Sequence, residues 1–180
     1  SIKKKITKNI QAEARYYRYK NLLEYCKDKK IRTLLTAHNL EDQVETFLMR
    51  LSRGSGLKGL SAMRTLTKID RNVSLFRPLL EIKKRFLVKI SKIIFGKYFK
   101  DPSNNYTKYL RTKIRSLKKP LEKSGVKYDQ IFRSIQNLSL SKNTLDGYLN
   151  RIFNSLIKKN NKEILNNYKK YSELNIDIKM

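Results

Sequence analysis

Apolar side chains recur along the chain with two different periods, and these periods predict the order of helices and strands. Between residues 8 and 27, apolar positions from Tyr16 to Cys26 recur every three or four residues, which is typical of one helix face. Residues 31–37 form a short leucine-rich and β-branched run without alternation, as in a strand buried on both faces of a parallel sheet. The same criteria predict helices at 8–27, 40–52, 57–64 and 81–95, and strands at 31–37 and 73–77.

The second part of the chain shows only the helical period. Residues 101–105 (DPSNN) are typical of a loop. A helix is predicted over 107–119 until Pro120 interrupts it, and the pattern is helical throughout from Tyr128. We therefore predict an α/β fold whose parallel sheet is followed by an all-helical C-terminal part. The predicted domains are 1–105 and 106–180.

Composition adds a strong positive charge. The 180 residues contain 42 Lys and Arg against 15 Asp and Glu, a formal net charge of +27, which favours a polyanion such as nucleic acid as partner. A nucleotide-biased genome that places lysine on any solvated surface explains the same charge, so charge alone leaves both explanations open. No stretch approaches the ~18 apolar residues of a membrane span, so no membrane partner is predicted.

The counts of two metal-ligating residue types limit the chemistry. One cysteine, Cys26, excludes a disulfide framework and any multi-cysteine zinc or iron–sulfur site within these residues. One histidine, His38, excludes a centre with several histidine ligands. Cys26 falls on the apolar stripe of its helix and is predicted to lie in the core.

The junction between the strand at 31–37 and the next helix carries the most chemistry. His38 follows the strand, and Glu41, Asp42 and Glu45 place three carboxylates in the first turns of the helix. Ligands of parallel sheets bind beyond the carboxyl ends of the strands, so a catalytic or cation-binding crevice is one interpretation. The other is structural, with His38 hydrogen-bonded at a strand end and the acids capping the helix.

A glycine-containing segment follows that helix. Arg53, Gly54, Ser55 and Gly56 place two glycines around a serine, which lets backbone N–H groups approach a phosphate while Arg53 grips it. A glycine at this position is more often only the cap that ends a helix. Both interpretations stay open.

Taken together, several segments resemble the tRNA(Ile)-lysidine synthase family. The resemblance covers roughly residues 10–125 in family order, and its most specific part lies between 36 and 60. The segments are 36–46 (TAHNLEDQVET), 51–60 (LSRGSGLKGL), 12–19 (AEARYYRY), 77–80 (RPLL), 101–104 (DPSN) and 111–115 (RTKIR).

The resemblance implies a fold, a reaction and partners. The fold is Rossmann-like, of the adenine-nucleotide α-hydrolase type, with a helical domain that helps to hold the tRNA. The reaction uses ATP to adenylate C2 of the wobble cytidine in the CAU anticodon of tRNA(Ile), after which free L-lysine displaces AMP. Mg²⁺ is expected only with ATP, the location is expected to be cytoplasmic, and the oligomeric state stays open.

The resemblance also implies site residues. An acidic pocket attracts an ammonium substrate, since the Coulomb energy at about 4 Å is worth about 4 kcal/mol at an effective dielectric constant of about 20. The implied catalytic residues are His38, Asp42, Glu45, Arg15 and Arg115. Asp42 holds lysine, Glu45 is a supporting or metal-linked carboxylate, and His38 bounds the nucleotide crevice. The arginines are implied to contact ATP or tRNA phosphates, namely Arg15, Arg18, Arg115 and Arg111, while the Arg53–Gly56 segment binds substrate.

One departure from the family concerns ATP. The family's Ser-Gly-Gly-x-Asp-Ser loop is absent from the 180 residues, and residues 1–9 contain no glycine. We expect these residues alone to bind ATP poorly, and we interpret the sequence as N-terminally truncated rather than as an inactive paralogue. The alternative function is a non-catalytic, basic RNA-binding module or inactive fragment. A sulfur-inserting tRNA enzyme is a weaker rival, because Cys26 is the single thiol.

Overall fold

The computed structural model describes residues 10–99, 109–160 and 163–166. The predicted loop at 101–105 lies outside the described residues, as do residues 1–9. In chain order the elements are α1 (Ile10–Asp28), β1 (Thr33–Leu35), α2 (Leu40–Leu51), α3 (Leu57–Leu60), β2 (Leu66–Lys68), β3 (Ser74–Phe76), α4 (Lys84–Phe95), α5 (Leu110–Ser116), α6 (Lys118–Lys123), α7 (Tyr128–Leu156), β4 (Ile157–Asn160) and β5 (Glu163–Asn166). This order confirms the predicted α/β class and the helical C-terminal part.

The described chain divides into two compact units. The first contains residues 10–43 and 63–99, and the second contains 44–62 together with the described residues from 109 onward. The predicted cut near 105 did not anticipate that 44–62 would join the second unit. The assignment of functional domains stays a prediction. None of the described helices is long and apolar enough to cross a membrane.

A three-stranded sheet forms the framework of the first unit. β1 pairs with β3 in parallel, and β2 pairs with β3 on its other side in antiparallel orientation, which gives the order β1-β3-β2. The central strand β3 contains the most buried apolar residue of the sheet, Leu75, which is 2% exposed. Cys26 of α1 is 3% exposed, which confirms its predicted place in the core.

The strand β2 was not predicted. Its antiparallel pairing with β3 also differs from the prediction, which was a parallel sheet. Leu66 and Lys68 are both exposed, as is usual at the edge of a sheet. An edge strand of three residues carries no hydrophobic run, so periodicity does not reveal it. Its position is set by the hairpin turn to β3, where the N–H groups of Ile69 and Asp70 both donate to the Val73 carbonyl at 3.1 Å.

The second unit is mostly helical. Val44 of α2 is fully buried, and Ile114, Tyr128 and Ile135 from α5 and α7 are 2–5% exposed. The short helix α3 packs against α7. The guanidinium of Arg50 secures the end of α3 by donating to the carbonyls at 59 and 62, at 2.7 and 3.0 Å.

Two details of the helical part differ from the prediction. The helix predicted up to Pro120 ends at Ser116, because Pro120 has no N–H for the Ser116 carbonyl, and Pro120 itself lies in the first turn of α6. The helical period predicted after Tyr128 is wrong beyond Leu156, where β4 and β5 form an antiparallel pair. The asparagine-rich joint there separates two short isoleucine-containing segments, which favours a hairpin over a continued helix.

Candidate functional site

Two parallel strands of the first unit end side by side, and polar residues follow both ends. Leu35 of β1 lies opposite Phe76 of β3, and the N–H of Thr36 donates to the Phe76 carbonyl at 3.0 Å. His38 comes shortly after β1, and Arg77 directly follows β3. Because open α/β sheets bind ligands beyond the carboxyl ends of their strands, this edge is the candidate site of the first unit.

The residues after His38 cap helix α2. The backbone N–H of Asn39 donates to Asp42 Oδ2, and the backbone N–H of Asp42 donates to Asn39 Oδ1, both at 3.1 Å. This reciprocal pair is a capping box. His38 Nδ1 lies 3.0 Å from Thr36 Oγ1. The structure therefore contains the hydrogen bonds that the structural interpretation predicted for His38 and Asp42. These bonds are compatible with ligand binding, because a carboxylate offers about four lone-pair sites.

Glu41 supports a second helix. Its Oε2 accepts a hydrogen bond from the backbone N–H of Lys84, the first residue of α4, at 2.8 Å. The N–H of Leu40 donates to the Ile82 carbonyl at 3.0 Å. The first N–H groups of a helix lack internal acceptors and favour nearby negative charge. Glu41 therefore joins the start of α2 to the start of α4, which is a role in folding.

Arg77 is a buried cation for which no role was predicted. Its side chain is largely enclosed, with 8% of the residue exposed, and Nη1 donates to the Arg64 carbonyl at 2.8 Å and to Thr67 Oγ1 at 2.9 Å. Its Nε has no hydrogen-bond partner among the residues that the structure describes. Burial lowers the pKa of Arg77 below its usual value, opposed by Tyr19 and reinforced by Arg15. The sequence feature that could have indicated a buried Arg77 is its position between an apolar strand and a proline.

The two predicted arginines of α1 have exposed side chains. Arg15 stacks on Tyr19, with its guanidinium carbon 5.1 Å from the ring centroid, and it is near enough to Arg77 to lower the pKa of that group. Arg18 is exposed. Tyr16 was predicted on the apolar stripe but is 64% exposed, so α1 buries a narrower stripe than predicted.

In the second unit, Glu45 is clamped by two arginines. Glu45 is 2% exposed and accepts hydrogen bonds from Arg111 Nε at 3.0 Å, from Arg115 Nε at 2.7 Å and from Arg115 Nη2 at 3.0 Å. Arg111 and Arg115 lie one turn apart on α5, and their side chains are 33% and 36% exposed. The buried carboxylate therefore holds both guanidinium groups in fixed positions.

The Arg53–Gly56 segment ends helix α2. Gly54 has a φ of +67°, and its N–H donates to the Leu51 carbonyl at 2.9 Å. The N–H of Ser55 donates to the Arg50 carbonyl at 3.1 Å. This pair of bonds is the Schellman pattern of a helix C-terminus. Two N–H groups that a phosphate cradle would need are therefore already bonded within the chain.

The structure thus brings five of the predicted residues into two sets, and Arg15, Arg18 and the Arg53–Gly56 segment belong to neither. His38 and Asp42 lie at the start of α2 in the first unit, whereas Glu45, Arg111 and Arg115 form a cluster in the second. Among the described residues no three or more His, Cys, Asp or Glu side chains are placed to hold a metal ion. Chemically, the first set offers a carboxylate to an ammonium group, and the second offers two guanidinium groups to a phosphate.

Comparison with known proteins gives a consistent family. Residues 1–121 match the family model of a PP-loop domain. A tRNA(Ile)-lysidine synthase from Wolbachia pipientis wMel is 37% identical over 155 residues, which cover 86% of this chain and 36% of the relative. The corresponding enzyme from Orientia tsutsugamushi is 46% identical over 120 residues, covering 67% and 27%. The chain therefore spans about a third of the length of these relatives.

A solved structure shares the fold. The U34-tRNA thiolase NcsA from Methanococcus maripaludis, determined with its 4Fe–4S cluster, matches with a TM-score of 0.58 and 23% identity, covering 77% of this chain and 46% of that chain. At this identity the likeness concerns the fold alone, and it agrees with the α/β class derived above. Because the family model covers more than half of the chain and the capped strand-to-helix junction lies inside the match, the chain belongs to the PP-loop domain family.

Proposed function

We propose that the protein is a tRNA(Ile)-lysidine synthase, which joins free lysine to C2 of the wobble cytidine in the CAU anticodon of tRNA(Ile). The C–N bond forms between a lysine amino group and C2, and AMP leaves with the C2 oxygen. ATP supplies the activation, because adenylation makes that oxygen a leaving group. The carrying observation is the capped strand-to-helix junction with Asp42, within a chain 37% identical over 155 residues to a named enzyme of this kind.

Asp42 is the residue that we assign to lysine. The capping box fixes its carboxylate at the carboxyl end of the parallel strands, and a carboxylate can accept hydrogen bonds from several donors at once, an ammonium group among them. A preformed carboxylate loses little freedom when it binds a cation. The neighbouring Glu41 is assigned to the α4 cap instead, because its Oε2 already accepts the N–H of Lys84.

Arg111 and Arg115 are the groups that we assign to phosphate. Glu45 orients both side chains, so the exposed part of each guanidinium is fixed before a phosphate arrives. Fixed cations are more effective than mobile ones where negative charge concentrates during phosphoryl chemistry. Glu45 is thereby a positioning residue, which corresponds to the supporting role, rather than the metal-linked one, of the two that the family resemblance implied.

The described residues do not supply every part of an ATP site. The N–H groups of Gly54 and Ser55 are used by the helix cap, and no group of three acids is arranged for Mg²⁺ within the described ranges. We therefore assign no ATP contact to the Arg53–Gly56 segment. What these residues do is bind lysine and orient the cations that face phosphate.

The test is an Asp42→Asn variant of the full-length protein. The amide oxygen keeps the capping bond while the charge that attracts lysine is removed, so we expect lysine incorporation to fall about 100-fold, as for a lost charge pair. Adenylation of the tRNA should stay within a fewfold of the parent. Radiolabelled lysine in tRNA(Ile) measures the first quantity, and pyrophosphate release measures the second.

A Glu41→Gln variant is the matched control, because it removes a neighbouring charge and keeps the oxygen that caps α4. Its lysine incorporation should remain close to that of the parent. Unchanged incorporation by Asp42→Asn contradicts the assignment to lysine. A parent protein that binds tRNA(Ile) but incorporates no lysine contradicts the proposed reaction and supports the alternative of a non-catalytic RNA-binding module.

A further inference from the structure

A cavity of about 820 Å³ opens in the first unit, at the opposite end of the sheet from His38. Its wall includes Thr33 and Ser74, the first residues of β1 and β3, which pair with each other. Cys26 and Val73 give the wall an apolar part and are only 3% and 2% exposed. The cavity therefore lies at the amino ends of the parallel strands, away from the edge that carries the proposed lysine site.

The wall of this cavity is strongly cationic. Its charged lining residues are all basic, and they come from two segments, the end of α1 with its connection to β1 and the end of β2 with its hairpin to β3. Each of them has an exposed side chain. Like charges that share a concave wall repel one another and focus a positive potential into the cavity. The five cations are Lys27, Lys30, Arg32, Lys68 and Arg71.

One of these charges is neutralised within the protein. Lys27 Nζ lies 2.6 Å from Asp70 Oδ2. The other four cations make no salt bridge within the described part of the chain. Arg71 is near enough to Asp70 to help lower the pKa of that carboxyl, but it forms no salt bridge with it. Four positive charges therefore face the same space with one carboxylate beside them, and an anionic ligand would relieve their repulsion.

The backbone conformation at Lys30 decides which substitution removes this cation without strain. Lys30 has a φ of 54°, in the left-handed region that favours glycine. It is the capping residue of α1, since the Ile31 N–H donates to the Cys26 carbonyl at 2.7 Å and the Lys30 N–H donates to the Lys27 carbonyl at 3.2 Å. A lysine in this conformation costs about 1 kcal/mol relative to glycine. The chain accepts that cost at a position whose side chain lines the cavity.

We propose that this cavity binds the phosphate backbone of the substrate RNA. The identity of that RNA rests on the proposed function, whereas the anion chemistry rests on the cavity. None of the lining residues is aromatic, so the wall offers no ring on which a base could stack. Its cations and the hydroxyl groups of Thr33 and Ser74 suit phosphate and ribose. Such contacts position an RNA without reading its sequence.

The test uses a Lys30→Gly, Arg71→Gln double variant of the full-length protein. Glycine suits the left-handed backbone at position 30, so this change removes a charge without straining the fold. Binding of tRNA(Ile) is measured over a series of KCl concentrations. Loss of two phosphate contacts should weaken binding about tenfold near 0.1 M salt and lower the slope of log K against log salt by about 2.

The matched control is a Lys89→Gln, Lys92→Gln double variant. It removes two exposed cations from α4, outside the cavity lining, and changes the net charge equally. Its slope should stay close to that of the parent. The proposal is overturned if the parent and a folded cavity variant have equal salt slopes. It is also overturned if the control variant loses as much tRNA affinity and slope as the cavity variant. Arg32→Gln with Lys68→Gln supplies a second cavity variant if the first fails to fold.

Two further readouts separate this proposal from other outcomes. If cavity variants lose binding to phosphatidylglycerol vesicles while their tRNA slope is unchanged, the RNA assignment is overturned in favour of a membrane surface. Lysine incorporation is measured on the same parent protein. If the parent incorporates lysine and the cavity variants keep the salt slope of the parent, the cavity proposal alone is contradicted. If the cavity variants have a reduced slope and the parent incorporates no lysine, the cavity proposal is supported and the proposed reaction is contradicted.

Discussion

The two ends of the small sheet in the first unit differ in how their charged side chains are bonded. At the carboxyl end, Asp42 is paired in a capping box, Glu41 caps α4, and Arg77 is buried with two acceptors on Nη1. At the amino end, five cations line a cavity, and four of them form no salt bridge in the described part of the chain. The carboxyl end is rigidly prearranged, which suits chemistry, whereas the amino end keeps its charge available for a ligand.

The contrast shows that different costs are accepted at each end. Burying Arg77 requires that its hydrogen bonds be supplied by the protein, since an unpaired buried charge is strongly unfavourable. Leaving cations exposed costs little in desolvation, but the left-handed Lys30 adds strain to the backbone. Substitutions at the two ends should therefore affect different quantities, namely stability at the carboxyl end and RNA affinity at the amino end.

The largest stability effect is expected for Arg77→Met. The variant replaces the apolar stem of the arginine with an unbranched side chain but removes the guanidinium and both Nη1 hydrogen bonds, which leaves the Arg64 carbonyl and the Thr67 hydroxyl without this donor. We expect the free energy of unfolding to fall by about 2 kcal/mol, as for lost hydrogen bonds to a charged group. Urea denaturation of the full-length protein measures the change. Arg71→Gln at the amino end should shift stability by less than about 0.5 kcal/mol, and equal losses would erase the contrast.

A smaller effect of opposite sign is expected for Lys30→Gly. Replacing a left-handed lysine by glycine relieves about 1 kcal/mol of backbone strain, partly offset by the greater freedom of glycine in the unfolded chain. Thermal unfolding should show a net gain of a few tenths of a kcal/mol. The reciprocal control is Gly96→Ala at the end of α4, where φ is +67° and a new Cβ meets nothing within 4 Å. That variant should lose stability, and a loss in Lys30→Gly as well would contradict the interpretation of strain.

The carboxyl end was predictable from sequence because its geometry is local. Asn39 before an apolar helix period, with Asp42 three residues later, specifies a cap without reference to the rest of the fold. The same local reasoning located His38 after its strand. It did not predict that Glu45 would be held by Arg111 and Arg115, because those partners lie 66 and 70 residues further along the chain.

The amino end was not predictable for the same physical reason. Its cations lie in two segments that are some forty residues apart, 27–32 and 68–71, and the hairpin that aligns them includes the edge strand β2. A short exposed strand leaves no hydrophobic period, so neither the strand nor the cavity has a sequence signature. The net charge of +27 indicated that a cationic surface exists but not where its charges converge.

The effect that bears most directly on the amino end is expected for Asp70→Asn. The hydrogen bond from Lys27 holds the pKa of Asp70 below its ordinary value, and the Arg71 N–H acts in the same direction. This pairing is therefore complete at neutral pH and is lost only as the pH falls through the lowered pKa. Removing the carboxylate charge adds Lys27 to the four unpaired cations of the cavity. We expect tRNA binding to tighten about threefold at pH 7 and the salt slope to steepen by about 1.

Asp28→Asn is the control for this gain. Asp28 is exposed and lies 3.0 Å from Lys29, and neither residue lines the cavity. Both substitutions raise the net charge of the protein by the same amount, so a general electrostatic attraction to RNA predicts equal gains. A cavity that receives the RNA backbone predicts a clearly larger gain for Asp70→Asn, because only that change frees a cation inside the binding wall. Equal slopes for the two variants would show that the amino end contributes charge to the protein but no site.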